Sequence, residues 1–314
     1  MSVYLKLYKL IRLPSSMLKH SSILFFLLVQ NYCMAQTNDS LFRQSINQSH
    51  PQSYISALGG FGNIEPLIFE AAIIPYYMLR LNKSKWGIEL SPKVVLRMYQ
   101  ADSYPVRTPS YMPGATFYYN ISNLQANRKA SPLFVFLTWQ HHSNGQDGNF
   151  YNNDSISINT HSGNFSTNMI ELGGFASMSD KSKAFNSVFH KISFEYHYQQ
   201  DEELKGKYGN FRINSELQSI WYPGKFPSTA GIVKNRLYSV RTQLKLQWIA
   251  GNMQNASTFD IKRLGASFRV AIHPAILNEV TLFAQYYYGQ DYYNIYFSRT
   301  LTVLRFGILT DLSN

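Results

Sequence analysis

The feature that most constrains this chain is a two-residue alternation of apolar and polar side chains, with charges in the middle of the polar face. Val240, Thr242, Leu244, Leu246, Trp248 and Ala250 fall on one side of an extended segment, and Arg241, Gln243, Lys245 and Gln247 on the other. Ile192, Phe194, Tyr196 and Tyr198 alternate with Lys191, Ser193, Glu195, His197 and Gln199. The same holds for Leu264, Ala266, Phe268, Val270 and Ile272 against Ser267, Arg269 and His273. Ile88, Leu90, Val94, Leu96 and Met98 alternate with Glu89, Ser91, Lys93 and Arg97, although Pro92 weakens that strand locally. Further strands are expected near 53–60, 66–82, 112–121, 133–143, 168–177, 211–222, 280–288 and 302–312, about twelve in all. No long helical period appears.

Strands near 10 residues long, with charges on one face, fit a wall between two different media. A transmembrane barrel turns its apolar face to lipid and its polar face to the lumen. A soluble sandwich is the competing architecture. Aromatic clusters at strand ends, such as Tyr286-Tyr287-Tyr288 and Tyr292-Tyr293, favour the barrel, because such rings settle at the membrane interface. Composition agrees. Charged residues are 15% of the chain, against about 25% in ordinary soluble domains. High aromatic content and low charge exclude a disordered chain, and a single cysteine, Cys33, excludes a disulfide scaffold. No apolar run is long enough for a transmembrane helix.

The first 35 residues read as an export signal. Lys6, Lys9, Arg12 and Lys19 are basic, Ile23–Val29 is apolar, and Cys33-Met34-Ala35 offers small residues for cleavage before Gln36. Met17 is an alternative start. Removing this segment lowers the net charge from +11 to +7 and leaves residues 36–314 without cysteine. The remaining basic charge shows no clustered stripe, so nucleic acid is a poor partner, anionic lipid head groups are a better one, and a solvated lumen or loop surface accounts for it as well. Export and a barrel together imply the outer membrane of a Gram-negative cell.

One constellation carries chemistry. Leu133, Val135, Leu137 and Trp139 share a face that continues to His141 and Ser143. An imidazole and a hydroxyl therefore stand side by side at a strand end, on the lipid side. A serine hydroxyl is a weak nucleophile until a base takes its proton, and imidazole suits that task. Asn168 opens the next strand on the same face, and its amide oxygen can hold the imidazole N–H, as in Cys-His-Asn proteases. A neutral orienter also avoids the desolvation cost of a carboxylate near lipid.

These residues resemble the outer membrane phospholipase A family of Gram-negative barrels. Its His-x-Ser-Asn-Gly motif stands here as His141-His142-Ser143-Asn144-Gly145, and its strand-opening Asn as Asn168. The segment Pro105–Pro113 and the stretch from Leu282 to Leu312 are similar to further parts of the family. The resemblance implies calcium-dependent hydrolysis of phospholipid acyl esters, with His141 as general base, Ser143 as nucleophile and Asn168 as orienter. It also implies Gly145 N–H in the oxyanion hole and a homodimer as the active form. The calcium ligands it implies are the carbonyl of Gln146 and, from the partner subunit, that of Ser103. Asp147 and Asp154 are further ligand candidates or simply solvated loop acids. Pro109 departs from the family pattern, where a Thr is tied to calcium, and the Ser143-to-Asn168 segment is longer than the family's. Two alternatives stay open: a lipid A deacylase, which would have fewer strands, and a non-enzymatic pore, which would have an open lumen.

Overall fold

The computed structural model describes residues 39–103, 105–122, 132–179, 185–221, 237–274, 276–277 and 280–310. The expected signal segment lies outside the described residues. Twelve antiparallel staves form one closed sheet. They are β1 (Tyr54–Ala57), β2 (Leu67–Ile73), β3 (Trp86–Tyr99), β4 (Ser110–Asn120), β5 (Leu133–Ser143) and β6 (Ser166–Ser179). β7 (Phe185–Tyr198), β8 (Phe211–Trp221), β9 (Leu237–Ala250), β10 (Leu264–Pro274), β11 (Val280–Gln290) and β12 (Thr300–Thr310) follow. Each stave pairs with its sequence neighbour, and β1 closes the barrel on β12 through Tyr54 opposite Leu309. Closure removes the free sheet edges, which is what lets strands sit in lipid. Two short pieces, Phe61–Gly62 on β12 and Tyr77–Leu79 on β3, add to the wall.

The outer face carries the apolar half of the alternation: Leu137, Leu172, Ile192, Phe194, Leu246 and Phe306 all point outward and are exposed. The inner face holds the charges. Arg97 bridges Glu70 at 2.8 Å and grips Asp291 through both guanidinium nitrogens at 2.8 Å. Arg305 reaches Glu70 at 3.1 Å, and Tyr54 donates to the same carboxylate at 2.7 Å. Buried charges are tolerated here because each is paired. The network also ties β2, β3 and β12 to the segment after β11.

One expectation is corrected. The segment 66–82 is not one strand: Pro75, without an N–H, separates β2 from Tyr77–Leu79. Pro92 does stay inside β3. There it faces Pro113 of β4, and β3 changes its other neighbour from β2 to Tyr77–Leu79 at that level.

A helix was not expected, yet α1 (Asp39–Ser49) precedes β1. It is short and mostly polar, and few of its residues reach the core, so its period is weak in sequence. It inserts Phe42 and Ile46 among Tyr118, Phe134, Phe136, Phe175 and Phe189 on the inner wall. These aromatic residues would be anomalous in a polar lumen, and the helix accounts for them. Burying Phe42 and Ile46 contributes about 1.5–3 kcal/mol each. Gln48 then hydrogen-bonds Ser187 at 2.5 Å and the Ser177 hydroxyl, while Gln218 donates to its carbonyl at 3.0 Å. His50, just past the helix, meets Glu89 at 2.9 Å.

The opposite end is closed by a second apolar cluster, which includes Phe150, Phe165, Tyr208, Ile295, Tyr296 and Phe297. Between the two stoppers lies a polar chamber of about 490 Å³, walled by Lys93, Glu195, Arg212 and Glu216 among others.

Candidate active site

β5 ends where the candidate site begins. Its outward residues Val135, Leu137 and Trp139 are exposed, and the same face continues to His141 and Ser143. β6 runs antiparallel beside it, with His141 opposite Asn168 and Ser143 opposite Ser166. The register thus delivers Asn168 to the imidazole without any loop having to fold back. His141 Nδ1 and Asn168 Oδ1 are 2.9 Å apart. An amide oxygen only accepts, so Nδ1 carries the proton and Nε2 is left as the basic nitrogen. Among the described residues no hydrogen bond joins the imidazole to the Ser143 hydroxyl, which lies two residues on along the same face.

The neighbouring ladder is interrupted at this level. β4 pairs Tyr111 with Ser143 and then Gly114 with Gln140. Between them stands Pro113, which has no N–H to donate. On the far side of Asn168, its amide nitrogen donates to Gln199 Oε1 at 3.1 Å. Trp139 donates from its indole to the Tyr198 hydroxyl at 2.7 Å, spanning β6 on the outward face.

Ser143 is followed by a turn whose shape is set by Asn144. This side chain is fully buried. Its Oδ1 accepts from Gln146 N at 3.2 Å and Phe165 N at 3.1 Å, and its Nδ2 donates to the Gly163 carbonyl at 2.8 Å. Asn suits such a knot because one short amide can satisfy several backbone groups. Gly145 then adopts φ +65°, which glycine takes without strain, and a Cβ there would lie 3.3 Å from the Tyr111 ring. The sequence motif contains Asn144 without indicating its role. Its Asx-turn chemistry was the available signal. Gln199 was missed altogether, since nothing in the sequence marks it.

The long segment from Asn144 to Phe165 packs into the cluster that closes this end of the barrel. It folds as a hairpin, with Tyr151 bridged to Ile158, and Phe150 packs on the cluster that closes the lumen. Asp154 caps its tip: Oδ1 accepts from Ile156 N and Ser157 N at 2.9 Å, and Oδ2 from the Ser157 hydroxyl at 2.6 Å. Those bonds hold the carboxyl below its usual range. Asp154 is therefore a turn cap. Asp147 is exposed and Gln146 half-buried beside the Gly145 turn, and Ser103 is exposed on another loop at the same barrel end. Among the described residues, no group of three or more His, Asp or Glu converges as a metal cage.

No family model and no curated protein sequence matches the chain. Solved structures do. Outer membrane phospholipase A from Escherichia coli aligns over 86% of this chain and 98% of its own, with TM-score 0.55 and 12% identity. An active-site mutant of that protein, with an asparagine replaced by alanine, aligns equally at 13% identity. The calcium-bound dimer of the Salmonella typhi outer membrane phospholipase covers 77% of this chain and 78% of its own, with TM-score 0.50 and 13% identity. At this identity the likeness is one of fold: a twelve-stranded barrel of the kind on which a membrane phospholipase is built.

Proposed function

We propose that this chain is an outer membrane phospholipase that hydrolyses acyl esters with Ser143, His141 and Asn168. The observation that carries the reading is the 2.9 Å contact between His141 Nδ1 and Asn168 Oδ1 on the outward face, two residues from Ser143. Polar groups on a lipid-facing wall are costly, and ester chemistry at the interface gives them a purpose. The likeness in fold to the two bacterial phospholipases supports the same reading, as does the active-site asparagine in one of them.

In this reading His141 Nε2 takes the Ser143 proton as Oγ attacks the acyl carbonyl. Asn168 holds the tautomer that leaves Nε2 basic. Gly145 N–H receives the developing oxyanion, and its left-handed turn fixes where that N–H points. His141 then returns the proton to the leaving alcohol, and water releases the fatty acid from Ser143.

The residues present fit calcium. The carbonyl of Gln146, the carboxylate of Asp147 and the carbonyl of Ser103 from a partner subunit are hard oxygen donors, which calcium prefers. When bound, the ion would add positive charge beside the oxyanion. A dimer would bring the Ser103 carbonyl to the site, in keeping with the calcium-bound dimer of the Salmonella protein.

Two alternatives lose ground. Twelve staves are too many for the shorter lipid A deacylases, and a lumen stopped by α1 and by the Phe150–Phe297 cluster does not suit a pore. The test is covalent. A serine-directed fluorophosphonate should modify Ser143 in the refolded barrel and leave His141→Ala unmodified. Labelling that is absent, or that falls on another serine, would refute the assignment.

A further inference from the structure

The loop from Gly251 to Arg263 joins β9 to β10 at the barrel end that carries Ser143. Its first half is tied to the 207–209 loop, beside Tyr208 of the closing cluster: Gly209 N donates to the Asn252 carbonyl at 3.1 Å and Gln254 N to the Lys207 carbonyl at 3.2 Å. Its second half is held by Arg263, which is buried and donates to the carbonyls of Ser257 at 2.5 Å, Ile249 at 3.0 Å, Gly251 at 2.9 Å and Ala256 at 3.1 Å. A guanidinium spent on four carbonyls fixes both flanks of the loop at once. Asp260 caps the tip, its Oδ1 accepting from Lys262 N at 2.9 Å. What this frame presents is apolar. Phe259 is 89% exposed and Ile261 60% exposed, and among the described residues no large apolar side chain is more exposed than Phe259. A loop fixed in this way holds the two side chains out, and an apolar tip held out marks a contact surface.

We infer that the Phe259–Ile261 tip is a membrane anchor, seated in the head-group layer of the leaflet beside the active-site end. The inference rests on the outer face being the lipid face and not on the ester chemistry of Ser143. Continuity with that face carries it. Below the loop stand Leu246, Phe268 and Tyr286, all outward and exposed. In the last rungs Trp248 lies opposite Leu264, and Tyr288 opposite Ala266, rings of the kind that settle at a membrane interface. Three residues of chain separate Leu264 from Ile261, which is at most about 11 Å. The head-group layer is roughly 5–8 Å deep on each side of the hydrocarbon. The tip is therefore within reach of that layer. The 261–263 turn also contacts β9 and β11, the strands flanking β10, so the second half of the loop stays at the wall.

Lipid suits the tip better than a second copy of the chain. A stable protein interface buries about 1,200–2,000 Å², and one aromatic side chain with one aliphatic neighbour offers a few hundred Å² at most, roughly. A bilayer sets no such minimum, because each apolar side chain gains on its own by leaving water. Lys262 stands next to Ile261, exposed, with its ammonium on the Asn255 carbonyl at 3.2 Å. A cation at that place complements phosphate head groups.

Residues 36–314 contain no cysteine, so a single reporter can be placed at will. Thr258→Cys carrying an environment-sensitive fluorophore reads the tip with Phe259 and Ile261 intact. Lys205→Cys, exposed on another loop of the same barrel end, is the reference. Both are made in Ser143→Ala, so that lipid is not consumed, and refolded into vesicles of phosphatidylcholine and phosphatidylglycerol. The Thr258 reporter should be quenched at least about threefold more by acyl-brominated lipid than the Lys205 reporter, and at least about threefold less by aqueous iodide. Adding Phe259→Ser and Ile261→Ser, both at exposed positions, should bring the two reporters level. Iodide quenching at Thr258 equal to that at Lys205 would overturn the inference. Shielding from both quenchers would put a protein partner in place of lipid. Lipid quenching that survives the two serine substitutions would mean that other residues hold the loop down. Either result overturns the anchor as well.

Discussion

Replacing Phe42 by alanine should unseat α1 while leaving the barrel standing. Phe42 is 1% exposed, meets Phe134 edge-on at 5.1 Å, and lies under the Arg80 guanidinium at 3.9 Å. Truncating a buried phenylalanine costs about 3–5 kcal/mol, and the lost cation–π contact about 0.5–1 more. The socket walls belong to strands held by their own ladders, so the cost falls on docking of the helix and not on the barrel. Taking the low end, about 3 kcal/mol raises the undocked fraction roughly a hundredfold. The assay exploits the absence of cysteine from residues 36–314. A single Ser177→Cys places a thiol beneath Gln48, at a position only 5% exposed. Its labelling by a bulky maleimide should accelerate about a hundredfold with Phe42→Ala, since opening precedes reaction. Phe194→Ala, on the outward face, should leave the rate unchanged. A rise below about threefold, in a barrel that keeps its folded electrophoretic mobility, would refute the view that these side chains hold the stopper in place.

Other outcomes follow from the same geometry. Asn144→Ala removes three bonds from a fully buried amide; stability should fall by about 2–4 kcal/mol in a denaturant titration, and fluorophosphonate labelling of Ser143 should slow with it. Arg97→Ala strands Asp291 without its cation and leaves Glu70 to Arg305, and should destabilise the barrel by about 3–5 kcal/mol, read from the shift in unfolding midpoint. Asp154→Ala should loosen the hairpin tip, measured as faster amide exchange at Ile156 and Ser157, with activity unchanged, because its carboxyl oxygens are spent on capping the turn. Asp147→Ala should raise the calcium concentration needed for half-maximal activity about tenfold or more, measured by titration with the ion after chelation.

The barrel was legible because a wall between lipid and water imposes a face on every second residue. The stretch 240–250 shows this without help from its neighbours. The outward direction of His141 followed from Leu133, Val135, Leu137 and Trp139 alone, and its meeting with Asn168 followed once β5 and β6 were taken as antiparallel neighbours. What stayed hidden depends on contacts far apart in sequence. α1 has few inward residues, and its socket is assembled from β4, β5, β6 and β7, so neither half announces the other. Phe134, Phe136 and Phe175 break the polar pattern of the lumen face, and that anomaly was the one trace the helix left. Gln199 is recognisable only through its bond across the β6–β7 register. The fate of the Asn144–Phe165 segment was also unreadable, because its packing surface, Phe297 and Tyr208, comes from other loops.

The central claim is that an outward serine cleaves lipid. The direct measurement is fatty acid released from phospholipid micelles by the refolded barrel, with calcium and with chelator, beside Ser143→Ala. The account predicts release that requires calcium and falls at least about a thousandfold in Ser143→Ala. Release that persists undiminished in Ser143→Ala, or none from a verified folded barrel supplied with calcium, would contradict it.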